Sequence, residues 1–226
     1  MLFSLVLAAT LGTPPDVGYA MPTEITEAPR YYFTLFGGQS VPFRPRTAHT
    51  WATFTRVTPT AGGPVVEPIT ISWLPVTGVV EPARLRSVPG RNWSLQDTFA
   101  IMAGNNAQVS MWGPFEIDEG RYHAAVAQAQ RLDSGAVRFR SLDSLNFRRT
   151  VAHCVHAVTH ADPVLDRRIQ PVVRVGEPGT SRLAAMYVSS GAFVGGPVTH
   201  DWLIPATGAD QYRVIRRAPG ERIPRR

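Results

Sequence analysis

From Ala48 to Val57 the chain alternates, with His49, Trp51, Thr53 and Thr55 on one side and Thr50, Ala52 and Phe54 on the other. A period of two predicts a β-strand. The stretch before it, Tyr31 to Ser40, is aromatic and β-branched up to Gly37-Gly38 and predicts a strand ending in a turn. After "TPTAGGP", the stretch Glu67–Pro75 ("EPITISWLP") returns as a third strand. It forms an antiparallel hairpin with the second, whose loop is too long to fix the register.

The period then changes. In "NWSLQDTFAIMAGNN", Leu95, Phe99 and Met102 form one stripe, Ser94 with Asp97 resembles a capping box, and Gly104-Asn105 stop the helix. In "DEGRYHAAVAQAQRLDSG" the acids come first, Tyr122, Val126, Ala129 and Leu132 share a face, and Ser134-Gly135 close it. "AVRFRSLD" predicts a strand. "RTVAHCVHAVTHADP", Arg149–Pro163, predicts a helix capped by Thr150 and ended by Asp162-Pro163. "QPVVRVG" predicts a strand and "TSRLAAMYVSS" a helix, while the Gly/Pro-rich segment from Gly191 onward predicts no element. With no repeat and no linker, residues 21–190 are expected to form one α+β domain and 191–226 an irregular basic tail.

Composition narrows the function classes. A chain of 226 residues buries enough apolar surface to fold without a disulfide or metal staple. Hydrophobic residues at 44% and charged residues at 18% place it among globular proteins. All 23 basic residues are arginine, a bias of the whole chain rather than of one surface. They are scattered except in "RVIRRAPGERIPRR", so a nucleic-acid reader is not expected, and contact of the tail with an anionic surface is the most that end suggests. No phosphate loop or dinucleotide fingerprint occurs, and no cofactor is expected. The apolar run Leu2–Leu11 is too short to span a bilayer but has the length of a secretory h-region, with Ala8, Ala9 and Gly12 nearby. No Lys or Arg precedes it. Residues 1–20 are therefore expected to be a signal peptide of a periplasmic or envelope protein, or the overhang of a misassigned start, with Met21 the true first residue of a cytoplasmic chain.

The single cysteine, Cys154, lies among three histidines, and three readings compete for it. It packs as a structural thiol beside Val151, Val155 and Val158. Alternatively, His153, His156 and His160, at i, i+3 and i+7 of a helix, bind a metal, although no Glu stands between them and no second cysteine supports them. Or Cys154 is a nucleophile near a helix N-terminus, whose base must come from another element, because residues one and two away on a helix face elsewhere. His49 is the candidate base.

The order of a strand carrying His49-Thr50-Trp51-Ala52, a next strand ending in "SWLP", and a late helix carrying His153-Cys154-Val155-His156 resembles the circularly permuted papain-like group. That group includes lecithin:retinol acyltransferase relatives and bacterial envelope amidases and lipid hydrolases. The Asn of the family's Asn-Cys-x-His is His153 here. The resemblance implies an α+β fold with an antiparallel sheet packed on the cysteine helix. Residues 92–135 would be an insertion forming one wall of a groove. It implies Cys154 as nucleophile, His49 as base and Ser72, or else Thr70, as the residue orienting the imidazole. The reaction would be hydrolysis or transfer of an acyl group from an amide, ester or thioester of a small molecule, peptide or lipid. Trp51, Trp73, Trp93 and Trp112 either line the groove or fill the core. The alternative is an inactive binding or structural envelope protein that retains the fold.

Overall fold

The computed structural model describes residues 28–142, 150–167 and 176–224. Residues 1–20, Met21 and residues 170–175 of the strand expected over 170–176 lie outside them, and Gly176 opens a helix instead. The protein is mixed α+β, with two mostly antiparallel sheets. Strands β1 (Arg30–Ser40), β2 (His49–Thr58), β3 (Val65–Ile71), β6 (Ala107–Ile117) and β9 (Val214–Arg217) form the larger sheet, in the order β3-β2-β1-β6-β9. Strands β4 (Trp73–Pro75), β5 (Val88–Asn92), β7 (Arg138–Phe139) and β8 (Val151–Ala152) form the smaller one. The helices are α1 (Leu95–Gly104), α2 (Glu119–Asp133), α3 (Cys154–Thr159), α4 (Gly176–Ser189) and α5 (Leu203–Ala206).

The larger sheet is covered on both faces, so its strands carry apolar residues at odd and even positions alike. On one face Phe33, Leu35, Ala52 and Phe54 join Trp112, Phe115 and residues of α2, α3 and α4 in the larger core. On the other, Phe36, Trp51 and Met111 meet Leu95, Phe99 and Met102 of α1. Two adjacent glycines of β1 let helices close in from opposite sides. A Cβ on Gly37 would sit 2.5 Å from Thr180 Oγ1 of α4, and one on Gly38 would sit 2.7 Å from Met102 Sδ of α1.

The local signals for the two central helices match the structure. Ser94 caps α1, its side chain accepting from the Asp97 amide at 3.0 Å, and Asp118 caps α2 from Arg121 N at 2.9 Å. Other expectations change. The single strand over Glu67–Pro75 is two strands in two sheets, broken at Ser72. There Asn92 substitutes for a neighbouring strand, its Oδ1 accepting from Ser72 N at 2.8 Å and its Nδ2 donating to Thr70 O at 3.0 Å. Of the strand expected over 136–143, the described residues 136–142 form only Arg138–Phe139, and residue 143 lies outside them. The helix expected from Thr150 starts later, because Val151–Ala152 pair with β7 as β8 and His153 is the cap.

Residues 92–135, expected as an inserted helical part, supply β6 as well as α1 and α2, and β6 lies between β1 and β9. The segment after Gly191 is not a tail either, since β9 adds in parallel to β6. It is held by a buried polar cluster in which Glu177 of α4 accepts from Ser110 Oγ and Gln108, and Arg217 of β9 donates to Ser110 Oγ at 3.0 Å. Among the described residues no helix is long and apolar enough to cross a membrane.

The approach at Gly37 is testable. Gly37→Ala is expected to cost about 1–3 kcal/mol, the range for overpacking a filled site. In urea unfolding, the double variant Gly37→Ala/Thr180→Ala should be destabilised by less than the sum of the two single changes.

Candidate functional site

His49 is the first residue of β2, opposite Gly38 of β1. Its ring stacks on Trp51 at 5.3 Å between centroids and 16° between planes, and it is wholly buried on the face that α1 covers. His49 Nε2 lies 2.9 Å from Ser72 Oγ, Ser72 Oγ lies 2.7 Å from Thr98 Oγ1 of α1, and Thr98 Oγ1 lies 2.7 Å from Ser94 O. Thr98 Oγ1 is the donor toward both Ser72 Oγ and Ser94 O, with one proton for the two. The other ring nitrogen of His49 is Nδ1. That Nδ1 is buried and has no hydrogen-bond partner among the described residues. Desolvation by burial lowers the imidazole pKa to about 3, so the ring is neutral at pH 7.

Cys154 opens α3, in the first turn after His153. His153 Nδ1 accepts from Val155 N at 3.0 Å and His156 N at 3.3 Å, so this nitrogen is committed to capping and is closed to a thiol proton. The helix packs through Ala157 and Val158 on the face of β2 that carries Ala52 and Phe54. Trp73 secures the approach, donating from Nε1 to Ala152 O at 3.2 Å. Cys154 is partly exposed and lines a small cleft together with Ala48, Thr50, Val80, Phe139 and Gly176.

Of the three expected site residues, the structure therefore brings together His49 and Ser72 but not Cys154. The reason is the parity of β2. Thr50 points to the face of α3 and α4, where its hydroxyl meets Thr180 Oγ1 at 2.7 Å. His49, one residue earlier, points through the sheet to α1. The expected pair of Cys154 with His49 is separated by the sheet itself. Thr70, the alternative orienter, lies 3.3 Å from Thr53 Oγ1, one pair further along the strands.

His153, His156 and His160 stack in a ladder, with centroids 4.2 Å and then 5.7 Å apart. No group of three or more potential ligands among the described residues is placed to hold a metal ion. Trp51, Trp73 and Trp112 are core residues, and Trp93 lies under the Arg91 guanidinium at 4.2 Å. Asp162, expected as a stop signal, also accepts from Arg121 Nε of α2 at 3.0 Å while capping Val164 N and Leu165 N. The sequence gives no signal for a second cleft on the smaller sheet, lined by Val79, Arg84, Arg86, Val88, Phe139 and Arg140. Its arginines come from segments more than fifty residues apart.

Comparison with protein-family models, with curated proteins and with solved structures finds no match to this chain.

His49 should make stability depend on pH. Its ordinary pKa of 6.5 applies to the unfolded chain and about 3 to the folded one. Between these values the unfolded chain holds more protons, so the His49 contribution is complete above pH 6.5 and is lost as pH falls toward 3. The slope across the middle of that window is about 1.4 kcal/mol per pH unit. In urea titrations from pH 7 to 4, His49→Gln should remove a slope of that size. Equal slopes in the two proteins would mean that His49 is not buried as a neutral ring.

Proposed function

We propose that the chain is a non-catalytic binding protein that keeps the strand order and cysteine helix of the permuted papain-like architecture without a working Cys-His pair. The observation that carries this reading is the placement of His49 and Cys154 on opposite faces of β2. A general base must reach the proton it takes and have a pKa near the working pH. His49 meets neither condition from under α1, with its pKa lowered to about 3. Ser72 Oγ holds His49 Nε2 at 2.9 Å, but in a closed polar chain through Thr98 to the carbonyl of Ser94, the cap of α1. The partly exposed cleft beside Cys154 supplies the binding surface.

One observation favours a second reading, a thiol-dependent hydrolase or acyltransferase acting on an amide, ester or thioester. Cys154 stands at the start of a helix and borders a cleft, where a thiolate gains from the helix end and is accessible to a substrate. Its base would then be a group other than His49.

The alkylation rate of Cys154 against pH separates the two, since no other thiol is present. The binding reading expects a slow rate that rises only toward the ordinary thiol pKa of about 8.5 and is unchanged in His49→Ala. A fast plateau at pH 6–7, together with turnover of a thioester that disappears in Cys154→Ser, would overturn it.

A further inference from the structure

We infer that the cleft on the smaller sheet binds a small anion carrying an unbranched apolar chain, a carboxylate or phosphate head on roughly ten carbons. The inference rests on the binding reading and names its ligand class. The cleft has a volume of about 280 Å³ and runs between β4, β5 and β7. Its walls are apolar: Pro75, Val76, Val79, Val88, Pro89 and Phe139. Val76 and Val79 are more than half exposed, so apolar surface faces solvent at its rim.

Three guanidinium groups and one carboxylate border this surface, Arg84, Arg86, Arg140 and Glu81. Arg84 already binds Glu81 at 2.8 Å. Arg86 and Arg140 face no carboxylate among the described residues. Arg140 donates from Nη1 to Leu85 O only at 3.4 Å, and its Nε is buried with no hydrogen-bond partner. Guanidinium groups hold an anionic oxygen through charge-assisted N–H bonds, and Arg86 and Arg140 both border the cleft.

Where the apolar part would lie follows from the walls. Phe139 and Ser141 border both this cleft and the smaller one of about 60 Å³ beside Cys154. A chain with its head at Arg86 and Arg140 crosses Phe139 and ends against Val80, Val155 and the Cys154 thiol. On that path Cys154 borders the far end.

The test is calorimetric titration of the full chain with decanoate, decyl phosphate, decanol and decylamine. At least one of the two anions should bind ten times more tightly than decanol or decylamine, and the one preferred identifies the head group. Arg86→Gln/Arg140→Gln should lose at least tenfold of that affinity. Arg86 is exposed, so Arg86→Gln alone tests the head contact even if loss of Arg140 disturbs folding. The bound anion should also slow alkylation of Cys154. Equal binding of decanol, unchanged affinity in both variants, or no binding of either anion would overturn the inference. Turnover of decanoyl thioester that needs Cys154 would overturn only the non-catalytic reading, because a persisting preference for the anion still supports the cleft.

Discussion

Strand β2 is packed on both faces, and the two-residue period of its side chains divides the molecule's polar groups into compartments that do not communicate. A strand covered on one side only has a wet face on which polar residues are cheap. Here every side chain from His49 to Thr55 is buried, so each polar one must find its partner on its own side of the sheet. Thr50 finds Thr180 of α4, Thr53 finds Thr70 of β3, and His49 finds Ser72 and through it α1. Shifting β2 by one residue would exchange these partners and move Trp51 out of the α1 core. Register and polar satisfaction therefore specify each other.

The same constraint explains the break at Ser72. Beyond Ile71 the chain leaves the larger sheet, and its next three residues pair with β5 instead. At the crossing point Ser72 needs partners for both backbone and side chain. The Asn92 side chain satisfies Ser72 N and Thr70 O, Trp93 N donates to Ser72 O, and the hydroxyl bridges His49 to Thr98. A corner between two sheets, the first turn of α1 and the start of β2 are thus tied by one serine. The imidazole works here as a neutral hydrogen-bonding spacer stacked on an indole, and burial keeps it neutral.

What the sequence made legible was local. Ser94 with Asp97, the acids before Tyr122 and the alternation over 48–57 were all readable, because each is satisfied within one element. The alternation even sorted His49 from Thr50. It did not show which face α3 would cover, since that depends on contacts across a hundred residues. Parallel pairing of β9 with β6 depends on Glu177, Ser110 and Arg217 meeting from three distant segments, and no periodicity encodes it. Val151 and Ala152 continue a helical pattern in the sequence, yet two backbone pairings with β7 outweigh a weak propensity and move the cap to His153. The motif around Cys154 was visible as residues but not as geometry.

A Cys-His pair is a statement about distance, and chain order supplies none. The order His, then Ser, then Cys is compatible with a thiol on either side of the histidine's sheet, because the helix has a long connection and two faces on which to land. On the α1 side the thiol would have met the neutral ring of His49, with Nε2 already held by Ser72. On the side it occupies, Cys154 borders a small cleft with Thr50 and Phe139. The unpartnered Nδ1 stays with His49 on the α1 side of the sheet. Its cost in stability is one that a simple apolar side chain at position 49 would not incur, so the tie from β2 to Ser72 and α1 is what the imidazole contributes in return.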